Sequence, residues 1–293
     1  MFLLGGGADV PPKPVTTHSS QNRVLKSKHT KRQYRIAISI PYAYFKSSDR
    51  SWPFENPLDK WPVVYLIDAN WYFGMVTDIV RNMAWFGNIT DAIVVGIGYP
   101  DHEDPQEALH DTIARRFYDL SPIRDEAVET WMTGFLKRPV LTGDASAFLS
   151  FIKHELIPVI EQDFQINPKK RILAGHSLGG TFTAFVLLEN PDLFNTYSIG
   201  SPFLSYGSGF AFKHEEQFAK RHKKLAARVH LWAGDREETL DDTALSDTIR
   251  FGAILEGRKY KGLILNKQIF ADLEHSEVIA PGFQAGLKWA LRK

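Results

Sequence analysis

The chain has 293 residues, 44% of them hydrophobic, and a formal net charge of only +1. Length and apolar content allow one large domain with a sizeable core, while the near-zero charge excludes a global field that would attract nucleic acid or an anionic membrane. The absence of cysteine excludes disulfides, thiolate metal sites and a cysteine nucleophile. These limits favour a small molecule as the partner.

No stretch approaches the roughly 18 uninterrupted apolar residues of a membrane span. The apolar run 1–4 is too short for a signal peptide. We therefore expect a soluble protein and favour a cytoplasmic location; the sequence does not indicate an oligomeric state.

The N-terminal region contains a glycine run and several prolines, which predict a flexible arm over residues 1–21. Residues 23–41 predict two strands joined by a basic turn at 27–32. This turn could be a nucleic-acid patch, but no aromatic residues are interleaved with its charges, so a solvated hairpin is the favoured interpretation.

Continuous apolar runs at 62–68 and 92–97 predict buried strands, and a helix is expected between them at 71–85. Asp144 is expected to cap an amphipathic helix. The alternation then continues, which predicts an α/β fold with a mostly parallel central sheet and helices on both faces. The remaining strands are expected at 171–174, 195–200, 229–233 and 266–271, and the remaining helices at 180–188, 213–224, 243–255 and 281–291.

Residues 98–142 contain four prolines and no clear regular structure. A segment of this length inside a compact domain is usually functional, so we expect a lid-like insertion at about 98–142 within a single domain of residues 22–293. Trp131 and Phe135 could line a substrate pocket or fill the core, and both interpretations stay open. Trp71 is a third candidate substrate contact.

A glycine-flanked serine lies at the centre of the chain, in the sequence Gly175-His176-Ser177-Leu178-Gly179. This matches G-x-S-x-G, the strand-to-helix turn that exposes a nucleophilic hydroxyl. An apolar strand precedes it and small, apolar residues suited to a buried helix follow it. Ser177 is therefore the candidate nucleophile, with an acid and then a histidine expected later in the chain.

Chain order selects the base among ten histidines. Only His275 follows a later strand on a loop. For the acid, the loop after the strand 229–233 offers Glu237, which we prefer because it clears the strand end, and Asp235 as the alternative. The other histidines precede the serine, flank it, or lie on the next helix and strand: His18, His29, His102, His110, His154, His176, His214, His222 and His230.

This arrangement predicts acyl transfer without a metal or other cofactor. His275 would take the Ser177 proton and return it to the leaving group, while the acid holds the imidazole tautomer. Backbone amides must face the developing oxyanion, and the candidates are Leu178 and Asn70. His176 is expected to pack beside the strand without a proton-transfer role.

These residues resemble the α/β-hydrolase superfamily, and within it the family of esterase D and the siderophore (enterobactin) esterases. The resemblance implies an α/β-hydrolase fold, Ser177 as nucleophile, Glu237 as acid, His275 as base, and oxyanion amides at Leu178 and Asn70. Family members often have glycine where this chain has Ala69. Arg115, Arg116 and Asp119 also look like a family block. The blocks that carry the resemblance are YLIDAN (65–70), GDASAFLSFIKHELIPVIEQDF (143–164), AGHSLGGTF (174–182), NPDLFNTYSIGSP (190–202), GDREE (234–238) and EHSEV (274–278).

We therefore interpret the chain as a serine carboxylic-ester hydrolase that acts through an acyl-enzyme on small to medium esters. One alternative is an iron-siderophore esterase. Another is a catalytically inactive binding protein with the same fold. A metallohydrolase is disfavoured because its candidate ligands lack helical ligand spacing: His102, Asp104, His110 and Asp111.

Overall fold

The computed structural model describes residues 16–44, 60–238 and 243–292. Within these ranges the chain alternates strands and helices, as the sequence predicts. The strands are β1 (Ser20–Lys26), β2 (Gln33–Ser39), β3 (Trp61–Leu66), β4 (Ile93–Gly98), β5 (Ile166–His176), β6 (Thr196–Gly200), β7 (Arg228–Gly234) and β8 (Ile264–Phe270). The helices are α1 (Ala69–Trp85), α2 (Pro105–Leu120), α3 (Glu126–Leu136), α4 (Ala145–Phe151), α5 (Ile157–Asp163), α6 (Leu178–Glu189), α7 (Tyr206–Arg221), α8 (Ala244–Arg258) and α9 (Ile279–Leu291).

The strands form one eight-stranded sheet in the order β1-β2-β4-β3-β5-β6-β7-β8. β1 and β2 pair antiparallel at one edge, and β2 joins β4 antiparallel. All pairings from β4 through β8 are parallel. The predicted mostly parallel sheet is confirmed. Its strand ends place the loops after β3, β5, β7 and β8 along the same edge, where open α/β sheets bind ligands.

Helices cover both faces of this sheet, which is why the central strands are apolar on both sides. On one face α1 and α9 pack through Val80, Phe283 and Leu287. On the other face lie α4 to α8, with the aromatic side chains of Phe148, Phe182 and others in a larger core. A π-helical turn, Ile152–Leu156, joins α4 to α5 and continues the buried face that the sequence predicts.

The expected lack of regular structure in residues 98–142 is wrong. The segment holds α2 and α3, and each begins at an aspartate whose carboxylate accepts from the first-turn amides, Asp104 for α2 and Asp125 for α3. Pro105 starts α2 because a proline at the first helical position loses no hydrogen bond.

Two further expectations need correction. Asp144 stands at the start of α4, but its side chain makes no capping hydrogen bond and instead accepts from Arg32 at 2.5 Å. Arg32 also pairs with the fully buried Asp119, so this one residue of the basic turn is only partly solvated, whereas Lys28, His29 and Lys31 are exposed as the solvated hairpin requires. Of the predicted arm, residues 1–15 lie outside the described residues, and Ser20 and Gln21 belong to β1.

In the part of the chain that the structure describes, the helices are all too short or too polar to cross a membrane.

Candidate active site

Ser177 occupies a sharp turn between β5 and α6. Its φ of 59° and ψ of −126° are unfavourable for a side-chain-bearing residue. The turn is held because the Ser177 amide donates to the Gly200 carbonyl at 2.9 Å, and its own carbonyl accepts from Thr181. A Cβ on Gly175 would lie 2.3 Å from the Gly179 carbonyl oxygen. The flanking glycine is therefore required by close backbone approach, as the motif predicts.

Glu237 and His275 meet at the ends of β7 and β8. Glu237 Oε2 lies 2.5 Å from His275 Nδ1, and the Glu237 side chain is 0% exposed. The other carboxylate oxygen accepts from Ser201 Oγ at 2.7 Å and from the Gly234 amide at 2.5 Å. Every oxygen of this buried carboxylate thus has a donor, which is what burial of a charge requires. Sequence reasoning missed Ser201; its position at the end of a parallel strand was the available signal.

Asp235 has a different position from Glu237. Its Oδ1 accepts from the Asp272 amide at 2.7 Å, and its own amide donates to the Phe270 carbonyl at 2.9 Å. The Arg236 amide donates to the Leu273 carbonyl at 3.2 Å. Asp235 therefore joins the loop after β7 to the loop after β8, while Glu237 is the carboxylate that the structure brings to His275.

His275 lies beside the serine turn. Its ring centroid is 4.4 Å from that of His176, the residue before Ser177. Within the described residues no hydrogen bond joins Ser177 Oγ to the His275 ring. Hydrogen bonds of this kind are often long before substrate binds and shorten in the complex. The adjacency brings the three predicted triad residues to one edge of the sheet.

His176 is buried, and the expectation that it packs beside the strand is confirmed. Its ring stacks on Trp232 with centroids 5.4 Å apart and meets Tyr72 edge-on. Burial, and next the nearby His275 and Arg116, lower the pKa of His176 well below its ordinary value. The ring is therefore neutral at physiological pH, and its lack of a proton-transfer role stays a prediction.

The two candidate oxyanion amides open two helices. Leu178 is the first residue of α6 and Asn70 the second of α1, positions whose amides have no acceptor within their own helix. The Asn70 side chain is held on both sides by Tyr99: Nδ2 donates to the Tyr99 carbonyl at 3.0 Å, and Oδ1 accepts from the Tyr99 amide at 2.7 Å. These bonds fix the first turn of α1 against the end of β4.

A buried ion pair adjoins this turn and was missed as a site feature. Asp68, with φ 59°, immediately precedes α1, and its Oδ1 accepts from Arg116 Nε at 2.9 Å. The side chains are 1% and 11% exposed, respectively. Arg116 comes from α2 in the 98–142 segment. The sequence signal for it was its place beside Arg115 in the segment 115–119, which looks like a family block.

The three candidate substrate contacts occupy different surroundings. Trp71 is 40% exposed and lies under the Arg116 guanidinium, whose central carbon is 5.4 Å from the ring centroid. Trp131 and Phe135 are 63% and 69% exposed on α3. The core-filling interpretation of these two side chains is therefore wrong: Met132 and Leu136, on the same helix, pack against α2 instead.

The residues of the metallohydrolase alternative serve other contacts. His102 Nε2 lies 3.3 Å from Asp111 Oδ2, and Asp104 caps α2. Across residues 16–44, 60–238 and 243–292, no group of three or more histidine or carboxylate side chains is arranged to hold a metal ion.

Most of the chain is similar to proteins of a known esterase family. The family described as "Putative esterase" matches residues 27–253. Among curated proteins, the chain is 34% identical to ferri-bacillibactin esterase BesA from Bacillus subtilis (strain 168), over 76% of this chain and 72% of that protein. It is 28% identical to the siderophore triacetylfusarinine C esterase of Aspergillus fumigatus, over 73% of this chain and 66% of that protein.

The fold is shared with solved structures. A crystal structure of the BES protein from Bacillus cereus matches with a TM-score of 0.76 and 25% identity, over 98% of this chain and 100% of that one. The predicted α/β-hydrolase fold is confirmed.

Proposed function

The chain belongs to this esterase family and is a serine esterase, and on that premise we propose that Ser177, His275 and Glu237 form its catalytic triad. The observation that carries the proposal is the 2.5 Å contact between the buried Glu237 carboxylate and His275 Nδ1, beside the strained Ser177 turn. A carboxylate in this position holds the imidazole in the tautomer whose Nε2 can accept a proton.

The proposed reaction proceeds through two acyl transfers. The Ser177 hydroxyl attacks the ester carbonyl as its proton passes to His275 Nε2, and the alcohol leaves with that proton. Water then attacks the acyl-enzyme, giving its proton to the same nitrogen. The imidazolium returns that proton to Ser177 Oγ as the serine is released with the carboxylic acid. During both steps the imidazolium is stabilised by Glu237, whose second oxygen stays bonded to Ser201 and Gly234.

We propose that the Leu178 and Asn70 amides bind the oxyanion. The positive end of each helix dipole adds to the two N–H groups in stabilising negative charge there. Ala69, where family members often have glycine, is buried at the start of α1 without disturbing its helical course. The neighbouring bonds between Asn70 and Tyr99 support a fixed position for the first turn.

For the substrate, we propose an ester-linked siderophore within the broader class of small to medium esters. The support is that the curated relatives quoted above are named for hydrolysing siderophores. The inactive binding protein is disfavoured because the buried carboxylate, the histidine and the strained serine are all present together.

We propose that residues 98–142 form a lid-like wall of the pocket in a single domain of residues 22–293. The guanidinium of Arg116, which comes from this segment, lies over the ring of Trp71. On α3 the side chains of Trp131 and Phe135 expose apolar surface. Replacing Trp131 and Phe135 together with alanine should raise KM for a bulky siderophore at least severalfold while leaving p-nitrophenyl acetate hydrolysis unchanged. If the wild type and the variant had the same KM for the bulky substrate, α3 would not line the pocket.

The test of the triad is hydrolysis of p-nitrophenyl acetate and a ferric siderophore by the wild type and Ser177→Ala. The variant should lose on the order of 10⁶ in kcat, as for other serine hydrolases without their nucleophile. A serine-directed fluorophosphonate should label the wild type and not the variant, and EDTA should have no effect. Undiminished activity of Ser177→Ala would overturn the proposal. Activity on p-nitrophenyl acetate without siderophore cleavage would overturn only the substrate class.

A further inference from the structure

Arg116 contacts both chain segments that would form the oxyanion hole. From α2 its Nε donates to Asp68 Oδ1 at 2.9 Å, and one Nη lies 3.5 Å from the His176 carbonyl oxygen. Asp68 precedes Asn70 by two residues and His176 precedes Leu178 by two. One side chain thus bridges the start of α1 and the serine turn.

Asp68 connects this bridge to the backbone on both sides. Its carbonyl accepts from the Trp71 and Tyr72 amides at 3.0 and 3.2 Å, so it anchors the first turn of α1. Its Oδ2 would lie 2.9 Å from a Cβ on Gly179, so the carboxylate packs against the start of α6. Moving this carboxylate would therefore shift both helix starts.

The Asp68 carboxylate needs its cation. Burial raises the pKa of Asp68, and the Arg116 guanidinium opposes that rise. Among the described residues, Oδ2 has no hydrogen-bond partner. Because a buried carboxylate that loses its cation carries a large desolvation cost, the turn would rearrange or take up a proton without Arg116.

We propose that Arg116 is a positioning residue of the oxyanion hole, which fixes the separation of the Asn70 and Leu178 amides by holding Asp68 and the His176 carbonyl together. This inference rests on the proposed function. It gives the 98–142 segment a role in transition-state stabilisation, because α2 supplies the bridging side chain. Small displacements of such donors are costly, since they act only at the oxyanion position.

The experiment compares Arg116→Met with Arg115→Met. Arg115 is the neighbouring residue on α2, where it pairs with Asp111 at 2.7 Å and donates to the Gln33 carbonyl at 3.4 Å. Both side chains of the pair are partly exposed, so Arg115→Met controls for charge removal from the helix. With neutral p-nitrophenyl acetate, Arg116→Met should lower kcat about 10- to 100-fold with KM within about threefold, because only transition-state binding is weakened. Arg115→Met should stay within about threefold of wild type in both constants.

A trifluoromethyl ketone, which forms a tetrahedral oxyanion adduct with the serine, provides the second measurement. Its inhibition constant should weaken in Arg116→Met by about the same factor as kcat/KM. Arg116→Lys, which keeps the charge without the forked donors, should give an intermediate value.

The double variant Arg116→Met/Asp68→Asn distinguishes a positioning role in catalysis from a role in stability alone, because it removes the unpaired buried charge. We expect its thermal stability to recover while kcat stays low, because the bridge is still missing. Recovery of both would overturn the proposal, as would wild-type kcat in Arg116→Met or a KM increase confined to anionic esters. If fluorophosphonate does not label the wild type, the proposed function has failed; if it labels and Arg116→Met matches Arg115→Met, only this inference has failed.

Discussion

On one side of Ser177 the loops that carry Glu237 and His275 are joined by two backbone hydrogen bonds besides the bond to the Asp235 carboxylate. On the other side the start of α1 is held by the side chains of Asn70 and Arg116. Backbone pairing survives most substitutions because it does not depend on side-chain identity. A support built from single side chains can be removed by one mutation. The acid side of the site should therefore tolerate changes around Glu237 better than the oxyanion side tolerates changes around Asn70.

The largest expected effect is that of the acid itself. Glu237→Gln keeps the shape but favours the wrong histidine tautomer, so kcat should fall on the order of 10⁴-fold. Asp235→Asn removes one bond among several between the loops, and its kcat should stay within about threefold of wild type. Steady-state kinetics on p-nitrophenyl acetate measures both. A larger loss in Asp235→Asn would reverse the assignment of the acid.

The sheet beneath the acid side should be sensitive to pH. Burial lowers the pKa of His230, on β7, to about 4 from an ordinary 6.5. The folded state therefore binds this proton less readily than the unfolded state, and the free energy of unfolding falls as the pH drops from 6.5 towards 4. The difference corresponds to about 3 kcal/mol at most. Urea unfolding of His230→Asn should show a shallower decline over this range. The slope that remains includes contributions from His176 and His214, whose pKa values are also lowered by burial. An unchanged slope would contradict the prediction.

Asn70→Ala tests the support of the oxyanion side. The substitution keeps the backbone amide but removes both bonds to Tyr99, so the amide is no longer fixed. We expect kcat to fall about 10- to 100-fold with little change in KM, up to the loss seen when an oxyanion donor is removed. Wild-type kcat would mean that the helix start is held by other contacts.

Ser201→Ala makes the matching change on the acid side and should have a smaller effect than Asn70→Ala. Glu237 loses one donor but keeps the Gly234 amide and His275. A loss of about 3- to 10-fold in kcat is expected, the size of an ordinary net hydrogen bond, because the other two partners of the carboxylate remain. If Ser201→Ala were more damaging than Asn70→Ala, the proposed difference between the two sides would be wrong.

The positions that sequence predicts well depend on local backbone geometry or chain order. The G-x-S-x-G turn is local at Gly175, since a Cβ there would lie 2.3 Å from the Gly179 carbonyl oxygen. A Cβ on Gly179 would instead meet Ile67 and Asp68, which lie just after β3 and far away in the sequence. His275 follows from order along the sheet. The sequence favours Glu237 over Asp235 because Glu237 lies farther beyond the strand end and can turn towards the histidine. In the structure its carboxylate contacts His275.

The features that sequence reasoning missed depend on contacts between distant residues. Arg116 and Asp68 are 48 positions apart, and Arg32 and Asp119 are 87 apart. Charge pairs over such separations leave no periodic pattern in the chain. The helices α2 and α3 did carry local signals, because Asp104-Pro105 and Asp125 are helix starts. These signals are missed when proline is treated only as a residue that ends helices, since it also favours the first helical position.

The pairing of the loops after β7 and β8 also determines how this part of the molecule opens. A methyl group on Gly234 would lie 2.1 Å from the Leu273 carbonyl oxygen, so the two loops are in direct backbone contact. A fluctuation that detaches the segment of His275 must also break the hydrogen bonds that the Asp235 and Arg236 amides donate to the Phe270 and Leu273 carbonyls. Amide protons in both segments should therefore exchange with deuterium as one cooperative unit, so that base and acid become disordered in the same event.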